Sequence, residues 1–455
     1  MTQVFVLNSA YGAMTAAAAM DAGLFPEPSG DRILLAVNAA IVPETTTGIA
    51  ESRQLQGVLR RFDRVESLNA LVAPTPPVQW QPAADDLPML ERLLRRAWGI
   101  DDGSSLELFL QSPQVPPSRT LAAVFPGAPI TIVGDGLMTY SPIRDRMPAA
   151  FADRVLGVAY ADVVPGVEPL LFAETGAPRL PVPVDRFRSI VEEVAGAAED
   201  PGLDDLAASA APTVLILGQY LAHLGLVSAD EEQALQAEMV DRALEWSPRR
   251  IVFKPHPSAP PAITDAVARR ARAHGLEVAT YDGEVPAEIV AARLRTVGVV
   301  AGFSTALPTV RALFGTPIAS AGTELLLRRL HPYENGNRIP VTIVDALTRP
   351  GSPYTSPARL QHLLDTVGHT MQPQTAAQLR GRAASFLAGA DPDERDRYVG
   401  ARRLTQLRLP GGRRPGPLAR LLTRSGVAGR FEQVRLIARG ALRRAARAWK
   451  ALEGR

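Results

Sequence analysis

Val297-Gly298-Val299-Val300-Ala301-Gly302-Phe303-Ser304-Thr305-Ala306-Leu307 is the stretch on which the fold turns, and an apolar run of helical period, 309–314, follows it. A short β-rich run, a glycine-led turn and a helix in immediate succession make a strand-to-helix unit. Reading outward, the same succession recurs: a strand at 214–217 before a helical stretch at 232–244, a strand at 251–254 before 266–274, and further strands at 278–281 and 318–320. Upstream, a strand at 4–7 precedes a helix at 14–22, and the alternation continues through 32–37, 55–62, 90–98, 121–125 and 130–133. Strands alternating with helices predict a mostly parallel sheet, and two such blocks predict an α/β protein with two Rossmann-like domains facing across a cleft. Between 173 and 211 the chain turns rich in Pro, Ala and acids, with one helix expected at 187–194. The division that follows is a first domain over 1–185, a linker over 186–211, a second domain over 212–395 and a tail over 396–455.

In open parallel sheets ligands sit beyond the carboxyl ends of the strands, so the turns after the strands are where chemistry is sought. After 130–133 comes Gly134-Asp135-Gly136-Leu137-Met138-Thr139-Tyr140. A carboxylate between two glycines projects without crowding and can take a proton from a hydroxyl, which makes Asp135 a candidate general base; the same tripeptide also serves ordinary turns. After 251–253 comes Lys254-Pro255-His256-Pro257, in which two prolines stiffen the turn that carries the imidazole. The chain holds two lysines against 47 arginines, and one of the two is Lys254. A compact ammonium beside a histidine suits a phosphate, although a proline-bounded turn with a half-buried His is the plainer alternative. In the opening stretch, Ser304 and Thr305 supply hydroxyls and free N–H groups at a helix N-terminus, an anion site that needs no metal, or simply an N-cap pair. Gly218 and Gln219 after 214–217, and Glu288 at the start of a helix, are further candidates for holding a nucleotide, a first-turn carboxylate that favours the helix dipole being the plainer reading of Glu288.

Composition narrows the classes. No cysteine occurs, which removes disulfide, thiolate-metal and cysteine-nucleophile chemistry. The histidines other than His256 show no metal-ligand spacing, so neither a metal nor another cofactor is expected. No uninterrupted apolar run reaches spanning length, and the first residues read as a strand rather than a secretion signal, which predicts a cytoplasmic protein. Residues 401–455 carry 15 Lys or Arg against 2 acids, leaving 34 against 45 in the first 400. The basicity therefore belongs to the tail, which speaks against a nucleic-acid-binding body. Over 431–452 the apolar residues Phe431, Val434, Ile437, Ala441, Ala445, Trp449 and Leu452 recur every three or four positions among arginines. That pattern predicts a basic amphipathic helix lying on the inner face of an anionic membrane, or packed on the acidic body. Arginines at 60, 61 and 64, and at 92, 95 and 96, read as solvated helix faces or as a welcome for an anionic glycan.

Gly134-Asp135-Gly136, His256-Pro257 and Ser304-Thr305, in that order at strand ends of two Rossmann-like halves, resemble the bacterial sialyltransferase superfamily. The likeness is to its alpha-2,8-polysialyltransferase-like branch, whose motifs are acidic-acidic-Gly, His-Pro and Ser-Ser or Ser-Thr. The opening Val6-Leu7-Asn8-Ser9-Ala10-Tyr11-Gly12 also looks like that family's start, and the resemblance covers roughly residues 1–330. It implies a GT-B type glycosyltransferase with an acceptor domain first and a CMP-sugar donor domain second. It further implies inversion without a divalent cation, a CMP-activated acidic sugar as donor and a glycan, neutral or anionic, as acceptor. Asp135 would then activate the acceptor hydroxyl and His256 would meet the departing CMP phosphate, which Ser304 and Thr305 would hold. Gly134 stands where the motif has its first acid. The rival readings are a CDP-glycerol-type glycerophosphotransferase, which also uses a Lys-x-His-Pro turn, and a non-catalytic CMP- or glycan-binding relative.

Overall fold

The computed structural model describes residues 1–40, 47–256 and 260–413. Within 1–389, a single compact unit, lie two parallel sheets. The first is built from β1 (Thr2–Leu7), β2 (Arg32–Ala36), β3 (Arg64–Ser67), β4 (Leu106–Leu110), β5 (Ile130–Val133), β6 (Val155–Ala161) and β7 (Arg179–Val182), in the order β3-β2-β1-β4-β5-β6-β7. The second is built from β8 (Thr213–Leu217), β9 (Arg250–Lys254), β10 (Glu277–Thr280), β11 (Gly298–Ala301) and β12 (Ile318–Ser320), in the order β10-β9-β8-β11-β12. Each order runs outward in both directions from its first strand. Each sheet thus has one switch point, between β1 and β4 and between β8 and β11, where a crevice opens at the carboxyl ends. The fold is α/β with two Rossmann-like sheets, as expected.

The inner strands are apolar on both faces because helices cover both sides, as in β1, where Val4, Phe5, Val6 and Leu7 are all buried. On one face of the first sheet Phe5 stacks on Phe109 with ring centroids 4.1 Å apart, and Phe25 and Phe62 close on the pair. Each such buried side chain contributes roughly 2 kcal/mol. In the second half Val214, Ile216, Ile251, Phe253 and Val300 form the corresponding core with Met239, Val240 and Val267.

Residues 186–211 hold most of one long helix, Val184–Ala197, and a short one, Pro201–Ala207. The long helix packs on Ala10–Asp21 of the first half and on Ala287–Leu294 and Ala306–Phe314 of the second. Arg61 ties it to the first half through Asp21 and Glu193, both at 2.8 Å, and Arg293 ties it to the second through the carbonyls of Ala195 and Ala198. After β12 the chain returns: Ser141 Oγ donates to Gly336 O (3.0 Å), Thr375 Oγ1 to Ile143 O (3.0 Å), and Glu168 N to Gln361 Oε1 (2.7 Å). The segment 336–379, C-terminal in sequence, is thus built onto the loops of the first half, with Leu170, Ala376 and Leu379 as its apolar seam. Residues from Ala390 form a second unit, described as far as Arg413, with helices Pro392–Tyr398 and Ala401–Leu407. The helix expected over 431–452 lies outside the described residues.

Candidate active site

β5 ends in a turn that can be followed atom by atom. Gly134 N still donates to Ala159 O of β6 (2.7 Å). A Cβ at position 134 would lie 2.8 Å from Thr139 Oγ1, 3.0 Å from Tyr160 Cβ and 3.1 Å from Ala159 O, so this position points into the body of the protein. Thr139 closes the turn by accepting from Asp135 N at 2.7 Å. Asp135 is half-buried: desolvation pushes its carboxyl above the usual range, while Gln111 and Ser9 beside it pull it back. Gly136 follows with φ +52°, the left-handed region, and opens a 3-10 turn over Gly136–Tyr140.

The turns of the second sheet meet at its switch point. Gly218 N donates to Lys254 O (2.8 Å), and a Cβ on Gly218 would lie 2.9 Å from Phe253 Cζ and 3.1 Å from Pro255 Cα, so only glycine lets the two strand ends approach this closely. Gln219 Oε1 accepts from Phe303 N (2.7 Å), linking the β8 turn to the β11 turn. Buried Glu232 ties down the same loop by accepting from Leu221 N (2.6 Å) and Ala222 N (2.9 Å). His256 lies in this neighbourhood. Burial lowers its pKa below the usual 6.5, nearby His223 lowers it further and Glu232 opposes, so the imidazole is neutral at pH 7. Pro257 lies outside the described residues.

Lys254 turns to the far side of its strand. Its ammonium donates to Gly283 O and sits 4.7 Å from the centroid of the Tyr281 ring, whose hydroxyl donates to Asp200 (2.5 Å). Burial lowers its pKa, and Asp200, Asp282, Glu284 and Glu288 oppose that. Glu288 is buried in the first turn of Ala287–Leu294; burial raises its carboxyl pKa, against its own backbone N–H and Lys254. Among the described residues no group of three or more His, Cys, Asp or Glu is placed to hold a metal ion.

The two halves touch where their candidate turns meet. Leu137 N donates to Thr305 Oγ1 (3.3 Å), and a Cβ on Gly136 would lie 2.4 Å from Thr305 Cγ2. Ser304, one residue earlier, accepts from Ala306 N (3.2 Å) at the start of the helix Ala306–Phe314. Tyr11 fills the seam: its ring lies 5.3 Å from that of Phe187, and its hydroxyl lies beside Thr309, whose own hydroxyl donates to Thr305 O. Asp135, Gly136, Ser304 and Thr305 are therefore brought together. Gln219 supports that group, Glu288 and Lys254 neighbour one another, and His256 is grouped with His223 and Glu232.

Gln111, Ser9 and Tyr11 carry no role in the sequence reading. A signal for Gln111 exists in the run Leu-Glu-Leu-Phe-Leu at 106–110, which is β4 and places the next residue at a strand end. Of the arginines singled out, Arg61 is held by Asp21 and Glu193. Arg64 is held by Trp98 O and Glu66, and Arg95 by Glu91 and Ser104 O. Arg60, Arg92 and Arg96 are exposed.

No curated protein matches the chain. Solved structures similar to it include UDP-GlcNAc 2-epimerase from Methanocaldococcus jannaschii, at 9% identity and TM-score 0.41 over 78% of this chain and 95% of that one. MurG from Acinetobacter baumannii is similar at 12% and 0.38 over 84% and 95%, and a UDP-glucosyltransferase from Polygonum tinctorium at 13% and 0.37 over 89% and 97%. The family model for alpha-2,8-polysialyltransferase (POLYST) matches residues 3–323, which include both sheets and both facing turns, and the chain belongs to that family.

Proposed function

We propose that this polysialyltransferase-family glycosyltransferase transfers sialic acid or a related nonulosonic acid from its CMP-sugar to a glycan acceptor, with inversion and without a divalent cation. The observation that carries this reading is the contact of the Gly134-Asp135-Gly136 turn with the Ser304-Thr305 turn, a carboxylate on one wall and a helix N-terminus on the other. In a single displacement the acceptor hydroxyl gives its proton to Asp135 as its oxygen bonds to the anomeric carbon, and the bond from that carbon to the CMP phosphate oxygen breaks on the opposite side. The phosphate leaves into the hydroxyls of Ser304 and Thr305 at the positive end of the helix Ala306–Phe314. Neutral His256 donates a hydrogen bond to it. Proton removal by a placed carboxylate supplies roughly 10²- to 10⁴-fold, about 3–5 kcal/mol of barrier. Gly218 lets the backbone approach the nucleotide, Gln219 holds the β11 turn, and Glu288 accepts from ribose hydroxyls. Lys254 acts through the 281–284 loop and Glu288.

That a side chain at 134 would collide with Thr139 and β6 supports catalysis by one carboxylate and weakens the motive for a non-catalytic relative. The division we propose assigns 1–185 and 336–379 to the acceptor side and 212–335 to the donor side. Among the described residues no helix is long and apolar enough to cross a membrane. Attachment at the inner membrane face through 431–452 belongs to the same proposal. The test is CMP release from CMP-sialic acid in EDTA, with sialylated and neutral acceptors, for the wild type, Asp135→Ala and His256→Ala. Acceptor-dependent turnover lost in both variants supports the reading; turnover that requires a divalent ion, or CMP binding without turnover under every acceptor, overturns it.

A further inference from the structure

Three strand ends lie side by side at the switch point of the first sheet. β1 runs against β4 with Val6 opposite Leu110, and β4 runs against β5 with Leu110 opposite Ile132. The next residue on the middle strand is Gln111, fully buried, with Asn8-Ser9 on one flank and Gly134-Asp135 on the other. Its amide is fixed on both sides: Oε1 accepts from Asn8 N (2.9 Å), and Nε2 donates to Ser9 Oγ (2.7 Å). Ser9 Oγ also accepts from Gly12 N (3.0 Å), so with two hydrogen bonds received it has its own proton left to give. Nε2 likewise keeps a second proton. A Cβ at position 12 would lie 2.5 Å from Gln111 Oε1, so the helix Ala10–Asp21 packs its backbone directly on the amide and leaves it one orientation.

We infer that Gln111, seconded by Ser9, is a positioning residue that holds the Asp135 carboxylate in one orientation toward the cleft through donated hydrogen bonds. The inference rests on Asp135 being the base. Donors aimed at a half-buried carboxylate favour its ionised form, and an ionised form is what must receive a proton. The titratable group that faces Asp135 from Ala10–Asp21 is Tyr11, whose phenol also feels Glu288 of Ala287–Leu294. The turn after β11 brings Ser304 and Thr305, which do not titrate, and the β5 turn brings Thr139.

The experiment is the pH profile of kcat/KM for acceptor-dependent CMP release, measured for the wild type, Gln111→Met, Ser9→Ala, Gly12→Ala and Asp135→Asn, with thermal unfolding of each. Gln111→Met keeps the length and loses both donated protons; Gly12→Ala keeps Gln111 and displaces its amide. The expected result is a fall in kcat of about tenfold in Gln111→Met and Gly12→Ala with donor KM within about twofold, and an acidic limb moved up by roughly half to one pH unit. A smaller shift of the same sign is expected in Ser9→Ala. An unmoved acidic limb in folded Gln111→Met and Ser9→Ala, with Asp135→Asn inactive, overturns the positioning role while leaving Asp135 as base. An acidic limb that persists in active Asp135→Asn removes the premise and the inference with it.

Discussion

Replacing Gly136 by alanine attacks the point where the two halves touch. The backbone there has φ +52°, a region that costs an L-residue with a Cβ about 1–2 kcal/mol. The added methyl would lie 2.4 Å from Thr305 Cγ2, 2.8 Å from its Oγ1 and 3.1 Å from its Cβ, an overpacking worth roughly 1–3 kcal/mol more. Gly136→Ala is therefore expected to lose about 2–5 kcal/mol in urea unfolding. It should also lose on the order of 100-fold in kcat/KM, because relieving the clash moves the Asp135 turn away from the Ser304-Thr305 turn by a fraction of an ångström or more. Thr305→Ala in the same background removes Cγ2 and Oγ1 but leaves Cβ and the strained φ. Unfolding of the four chains of that cycle should show a favourable coupling of about 1–3 kcal/mol, with about 1–2 kcal/mol of loss left in the double variant. Gly136→Ala with wild-type stability, or strict additivity with Thr305→Ala, would refute both the contact and the strain.

Gly134→Asp, which restores the acidic pair, is expected to lose roughly 2–4 kcal/mol of stability and to gain no turnover, because its carboxylate would be driven against Thr139 and Ala159 O; denaturation and CMP release check this. Burial raises the folded-state pKa of Asp135, so the folded chain holds its proton more tightly than the unfolded one, and stability falls as pH rises from the unfolded carboxyl value through the folded one. Asp135→Asn should accordingly raise the melting temperature at pH 8 and lose that advantage near pH 3, as a pH series of unfolding scans will show. His256 has the opposite sign: its lowered folded pKa makes the unfolded chain bind more protons just below pH 6.5, so stability declines with acidification from that point, and His256→Gln should flatten the decline. Full-length protein is expected to partition onto anionic vesicles more strongly than a chain ending at Gly400, and equal partitioning would remove the membrane role of the tail.

The alternation of β-rich and helical runs made the two sheets legible, because buried parallel strands are unbroken apolar runs and those at 4–7, 214–217 and 251–254 stand out. β4 did not stand out. Its Leu-Glu-Leu-Phe-Leu is interrupted by Glu107, which is buried and accepts from Thr131 Oγ1 (2.8 Å) on the neighbouring strand. A charge whose partner lies 24 residues away cannot be recognised as buried from local pattern, and with β4 unplaced, Gln111 had no address. The facing of the turns at 134–136 and 304–305 likewise depends on how two sheets sit against one helix, Val184–Ala197, a tertiary outcome that spacing along the chain does not encode. Lys254 shows the converse: its rarity singled it out as a candidate to meet a phosphate, and strand geometry sends its ammonium to the Gly283 carbonyl.

The return of 336–379 onto the first half bears on how the protein is made. Leu170 and the loops at 141–143 and 166–170 are synthesised early, yet the residues that cover them, among them Gln361, Gly368, Thr375 and Ala376, emerge some 200 residues later. At about 5–20 residues per second a ribosome needs roughly 10–40 s to close that gap. The half that carries the second sheet, contiguous in sequence, can complete itself in the interval, so the half that begins the chain is the half that finishes folding last, and a nascent chain stalled near residue 211 would leave Leu170 without its partners Ala376 and Leu379.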